Sequence, residues 1–230
     1  MLARLAAEGR VLAITGLWLE AYRLWLLGAL ERELRRCGYD GVAGVDEAGR
    51  GALAGPVVVA AVVVDRDTSL VPGVDDSKLL SPGTREALAP LIRGTVRDWK
   101  VVSVSAWEID RSHILAATRS AMRGALLDLS APPDCALVDA VDLGEMPFPV
   151  CPLVRGDRVS YAVAAASILA KTERDRMMVE LHRAYPQYGF AGHKGYGAPA
   201  HLQALQTYGP SPEHRLTYRA VVPRTGAGGS

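Results

Sequence analysis

Apolar residues along this chain fall into two spacings. Val57 to Val64 is an unbroken Val/Ala run, which reads, from Pro56 onward, as a strand buried on both faces. Val42 to Asp46 predicts a strand just before it. Trp99 to Ser105 alternates β-branched with polar residues, the pattern of a half-buried strand. Cys135 to Val138 predicts a short buried strand ending in Asp139, and Val150 to Val154 another ending near Asp157.

Elsewhere the spacing turns helical. Pro82 to Arg93 predicts a helix that Ser81 can cap. A second runs from Ala106 to about Leu129, before Pro132-Pro133. A long one runs from about Ser160 to Ala184, ended by Pro186, and a short one from Pro199 to Tyr208. Leu19, Tyr22, Leu26, Leu30 and Leu34 predict an amphipathic helix packed on the domain. Asp65 to Gly73 reads as a turn and Gly189 to Gly197 as a glycine-rich loop. Strand pairs alternate with helices, which argues α/β or mixed α+β around one central sheet. No repeat or linker divides the chain.

Composition narrows the function. The chain has 230 residues, enough for one large core, and 49% are hydrophobic. A formal net charge of +1 sets it apart from strongly basic nucleic-acid binders. Any polyanion must meet local positive charge or bound metal ions. Cys37, Cys135 and Cys151 are odd in number and lack CxxC spacing. They read as buried thiols in a reducing compartment, the cytoplasm. Val11 to Leu19 behind Arg4 and Arg10 superficially resembles a signal peptide, but Glu20 and Arg23 stand where small cleavage-site residues belong. Glu20, Arg23, Gly16 and Gly28 also spoil a membrane span.

Candidate chemistry centres on Asp46-Glu47. Adjacent carboxylates end a short apolar stretch, a glycine-rich turn carrying Arg50 follows, and the next strand begins. Asp and Glu offer the charged oxygens that Mg²⁺ and Mn²⁺ want. The arginine and the N–H groups of the turn suit an anion such as a phosphate. Asp139 and Asp157 also stand near element ends. Taken singly, each of the four acids is more ordinarily a turn residue, and Asp157 a helix cap. A Rossmann reading of Gly49-Arg50-Gly51 fails, because no third glycine follows at the right spacing and a strand comes next.

The stretch Val42 to Pro56 closely resembles the N-terminal signature of ribonuclease HII, the type 2 ribonuclease H family. The likeness continues in the family's order through Asp75-Asp-Ser-Lys-Leu-Leu-Ser81, Ile109 to Thr118, Leu137-Val-Asp-Ala140, Gly156 to Asp175 and His193-Lys-Gly-Tyr-Gly197. It spans roughly residues 30 to 222. It implies an α/β, ribonuclease H-like fold: a mixed five-stranded sheet flanked by helices, with a small helical C-terminal region. It also implies a catalytic domain over 18–224, with residues 1–17 an N-terminal extension outside the family pattern; residues 225–230 read from the sequence as a disordered tail.

The resemblance places Asp46, Glu47, Asp139 and Asp157 at the family's catalytic, metal-binding quartet. Crowded carboxylates repel until cations neutralise them, and two ions roughly 4 Å apart can clamp the attacking and leaving oxygens of a phosphodiester. It further implies that Gly49, Arg50 and Gly51 read a ribose 2′-hydroxyl, that Tyr196 stacks on the following sugar, and that Lys78 meets a phosphate. Lys171 and Arg174 could reach phosphate or pair with Glu173 or Asp175. His193 could assist product release or be a plain loop residue. His113 departs from the family's usual asparagine, and His214-Arg-Leu-Thr-Tyr218 from its usual C-terminal pattern. The expected activity is a monomeric, Mg²⁺- or Mn²⁺-dependent endoribonuclease. Its substrates would be RNA–DNA hybrids and DNA containing ribonucleotides, without a membrane partner. The rivals are a resolvase-like DNase and a non-catalytic nucleic-acid-binding module.

Overall fold

In the computed structural model, which describes residues 10–221, five strands form one mixed sheet. They are β1 (Val42–Ala48), β2 (Val57–Val64), β3 (Asp98–Val104), β4 (Cys135–Asp139) and β5 (Val150–Leu153), in the order β3-β2-β1-β4-β5. β1 pairs antiparallel with β2, and β2 with β3, whereas β1–β4 and β4–β5 are parallel. The expected five-stranded sheet flanked by helices is present.

All of β2 is buried, and its period of two divides the core. Val58, Ala60, Val62 and Val64 meet a long helix on one face. Val57, Val59, Ala61 and Val63 meet Met122, Ala125 and Leu126 on the other. The long helix, α6 (Tyr161–Ala184), follows α1 (Arg10–Leu27), α2 (Ala29–Arg36), α3 (Pro82–Thr95), α4 (Ala106–Ser112) and α5 (Ile114–Leu127). α7 (Phe190–His193) and α8 (Pro199–Tyr208) complete the small C-terminal region.

α6 lies very close to the sheet. A Cβ on Gly44 of β1 would stand 2.1 Å from the backbone carbon of Ala162, so this crossing requires glycine. The alanines at 162 and 164–166 keep the contact tight. Ser160 caps α6 by accepting from the Val163 N–H. The Glu31 carboxylate, 1% exposed, accepts from the Ser160 hydroxyl at 2.6 Å and the Ala162 N–H at 2.9 Å. A carboxylate suits the positive end of the helix dipole, although burial raises its pKa.

Four expectations are corrected. The helix expected over Ala106 to Leu129 is two helices, α4 and α5, because His113 takes φ 64° and breaks the spiral. The N-terminal helix breaks at Gly28, which shifts the apolar phase. Leu24 and Leu27 are buried there, while Leu19, Tyr22 and Leu26 are exposed; Leu30 and Leu34 still pack on the core. Of the cysteines, which are all free, only Cys135 is buried; Cys37 and Cys151 are exposed. The loop over Gly189 to Gly197 contains the single turn α7. Residues 225–230, expected to be a disordered tail, lie outside the described residues, as do residues 1–9 of the expected extension. Among the described residues, no helix is long and apolar enough to cross a membrane.

Candidate active site

β1 outruns its apolar stretch, so Asp46 and Glu47 remain in the sheet near its end. The parallel register pairs Val45 with Val138, which puts Asp46 beside Asp139 on the neighbouring strand. Residues 93 apart in sequence thus meet because two strand ends align.

Each acid has a different environment. Asp46 is 3% exposed and accepts from the Glu47 N–H at 2.7 Å. Burial first, then the charges of Glu47 and Asp139, hold its carboxyl well above the usual range. Burial also raises Glu47, with Arg50, 3.1 Å away, opposing. One Glu47 oxygen, Oε2, is buried without a hydrogen-bond partner. Asp139 Oδ1 accepts from the Gly156 N–H at 2.7 Å. Asp157 sits in a short 3₁₀ turn, Gly156–Arg158, and Lys78 Nζ lies 3.2 Å from its Oδ2. Burial raises Asp157 too. It does not cap α6, since Ser160 performs that role.

A cavity of about 590 Å³ opens here, lined by Asp46, Glu47, Gly49-Arg50-Gly51, Lys78, Asp139 and Tyr196. Asp157 is not part of its lining and joins it through Lys78. Among the described residues, no three His, Cys, Asp or Glu side chains already form a cage around one point. Two of the acids are instead paired, Glu47 with Arg50 and Asp157 with Lys78. Their chemistry still fits a hard cation, since the donor set is carboxylate oxygen alone and Glu47 Oε2 lacks any partner.

The glycine turn is built from behind. Gly49 has φ +94°, and a Cβ there would stand 1.8 Å from Arg174 Nε. Arg174 is fully buried and donates to the carbonyls of Pro56 and Ala54. Its guanidinium also lies 5.3 Å from the centre of the Tyr196 ring. Arg215, equally buried, donates to the carbonyls of Arg50 and Gly55, and the Tyr218 hydroxyl also donates to Arg50. Gly51 differs: nothing lies within 4 Å of the place its Cβ would take.

Arg174 therefore neither pairs with Glu173 or Asp175 nor reaches the cavity. Lys171 lines the cavity and is paired with Asp175 at 2.7 Å. His193 turns away from the acids, with Nε2 2.7 Å from the Tyr188 carbonyl. The sequence reading missed Arg215, Tyr218, His201 and His214 as supports of the site. Charged or polar residues buried against hydropathy leave no periodic signal. The one trace was the segment His214 to Tyr218, noted as a departure from the family's usual C-terminal pattern; His201 left none.

A family model described as Ribonuclease HII matches residues 43–221. The ribonuclease HII of Geobacillus kaustophilus (strain HTA426) is 51% identical over 191 residues, covering 83% of this chain and 73% of that one. The ribonuclease HII of Roseiflexus castenholzii is 51% identical over 195 residues, covering 83% and 87%. Among solved structures, the ribonuclease H2 of Pyrococcus horikoshii OT3 superposes with a TM-score of 0.67 at 31% identity, covering 79% of this chain and 95% of that one.

Proposed function

The chain belongs to the ribonuclease HII family, and from that premise we propose that it cuts both RNA–DNA hybrids and single ribonucleotides embedded in duplex DNA. Cleavage falls 5′ to the ribonucleotide and leaves 3′-hydroxyl and 5′-phosphate ends. As a family member the protein is a ribonuclease H, an endonucleolytic hydrolase. The observation that carries the finer reading is Gly51, an open stretch of backbone on the same cavity wall as Asp46 and Glu47.

Asp46, Glu47, Asp139 and Asp157 are the residues that would hold Mg²⁺ or Mn²⁺. Such ions, when bound, would lower the pKa of the attacking water and offset charge on the leaving oxygen. The chain's own residues do the selecting. Backbone at Gly49-Arg50-Gly51 approaches the ribose, where a missing 2′-hydroxyl leaves polar groups unpaired. The Tyr196 ring, 39% exposed, offers a face to the next sugar. The exposed Lys78 ammonium, paired with Asp157, is free to swing to a phosphate. Residues 18–224 form the catalytic unit. The exposed free thiols of Cys37 and Cys151 support a reducing compartment such as the cytoplasm.

The test compares two duplexes in Mg²⁺, identical except for one ribose. Wild type should cut the ribose-containing duplex roughly 10⁴-fold or more faster. Comparable cutting of the all-DNA duplex would sink the reading and favour a resolvase-like DNase.

A further inference from the structure

Behind Tyr196, away from the acids, three histidines pack around Phe190. The His201 and His214 rings lie 5.5 Å from that of Phe190, and His193 stacks on His201 at 4.4 Å. Both His201 and His214 are buried, at 0% and 1% exposed.

Their hydrogen bonds admit one pattern. The Ser211 N–H, which can only donate, lies 2.9 Å from His214 Nδ1, so that nitrogen carries no proton. The Ser211 hydroxyl meets the same nitrogen at 2.8 Å. Neutral His214 therefore has its proton on Nε2, 3.0 Å from His201 Nε2, which must accept. His201 is then protonated on Nδ1, 2.9 Å from the Tyr196 carbonyl, which can only accept. Two backbone groups without a choice of role fix the proton positions throughout the chain. Burial agrees, lowering His201 and driving His214 down to about 4.

The same region is laced to the glycine turn. Gly195 O accepts from the Leu53 N–H at 2.8 Å, Leu53 O from the Arg215 N–H at 2.9 Å, and Glu213 O from the Gly55 N–H at 2.8 Å. The Ala198 N–H also donates to the Tyr196 carbonyl, at 2.8 Å. The Tyr196 backbone is thus held by a local turn and by a directional chain that begins at Ser211.

We propose that His201 and His214 are positioning residues for cleavage at the ribonucleotide junction: their directional hydrogen-bond relay anchors the Tyr196 backbone and aims its ring into the cavity. The inference rests on the ribonuclease reading of that cavity. It assigns the histidines no contact with substrate.

The test is a double-mutant cycle on duplex DNA containing one ribonucleotide, in Mg²⁺, with thermal unfolding of every variant. Tyr196→Ala should lower kcat/KM by roughly 5- to 150-fold, the equivalent of 1–3 kcal/mol for a lost stacking contact. Asparagine at 201 can place an amide N–H near the position of Nδ1, whereas glutamine reaches only towards Nε2. His201→Asn should therefore retain most activity, and His201→Gln should lose about as much as Tyr196→Ala. In the Tyr196→Ala background, His201→Gln should cost nothing further. Additive losses, a glutamine variant more active than the asparagine one, or losses that simply follow the melting temperature would overturn the proposal. So would an inert Tyr196→Ala in an active enzyme. A wild type that ignores the ribonucleotide duplex overturns the ribonuclease reading itself, a different and distinguishable result.

Discussion

Two groups of buried ionisable residues lie on either side of Tyr196, and they are built on opposite principles. In the acidic group, Asp46, Glu47 and Asp157 are all raised by burial, and Glu47 Oε2 finds no partner. In the histidine group, the Nδ1 and Nε2 atoms of His201 and His214 are all satisfied, and both rings are held neutral. Buried charge without enough partners is costly. A fold retains it where an outside cation completes the set, whereas a satisfied neutral network serves to hold geometry.

The sharpest way to break this comparison is to remove one member of the acidic group. Asp46→Asn or Asp139→Asn keeps the shape and deletes a charge. Activity in Mg²⁺ should be almost abolished. Melting in chelator at neutral pH should nevertheless rise for Asp46→Asn, because burial and the charges of Glu47 and Asp139 penalise the ionised carboxylate that the amide replaces. Asp46 is raised, so its penalty grows as pH climbs through its folded pKa and disappears in acid. The gain should follow that course. Wild-type turnover in excess chelator would refute the role given to these carboxylates.

The two glycines of the turn sharpen the contrast between substrate space and support. Gly51→Ala should melt like wild type, because its Cβ enters open space, yet it should cut poorly by intruding on the sugar. Gly49→Ala should instead destabilise the fold. Its positive φ alone costs roughly 1–3 kcal/mol, and Arg174 must also be displaced. Equal melting losses for the two variants would show that the turn is uniformly structural.

The histidine group predicts an effect on stability with the opposite pH sign. An ordinary histidine protonates near 6.5, but folded His214 resists to about 4. Within this window the unfolded chain binds the extra proton. Stability is full above 6.5 and falls as pH drops towards 4, by at most about 3 kcal/mol. His214→Gln should flatten that slope in denaturant titrations between pH 7 and 4. An unchanged slope would mean that His214 is not held neutral by the fold.

Legibility in the sequence followed the same division. The sheet was legible because β2 is apolar throughout and α6 has a capping serine and a terminating proline. The four acids stood out only through the family resemblance, because an acid near the end of an apolar run or the start of a helix is by itself more ordinarily a turn or cap residue. The break at His113 was not legible, since a single positive φ does not disturb apolar periodicity. Glu31 was missed for a related reason. A carboxylate among leucines on α2 reads as the polar face of a helix until α6 places its N-terminus against it.

What the sequence determined by itself is local: where apolar runs start and stop, which residues cap or break them, and which motifs carry carboxylates and a glycine turn. These depend on neighbours within a few positions, and period and capping report on such neighbours directly. The tertiary structure alone decided which distant groups share a space. It set Asp46 beside Asp139 through strand register, buried Arg174 and Arg215 beneath the glycine turn, and joined Ser211 to Tyr196 through two histidines. Those pairings arise only when the sheet and α6 close on one another, because burial turns an otherwise solvated polar group into one that must find a partner.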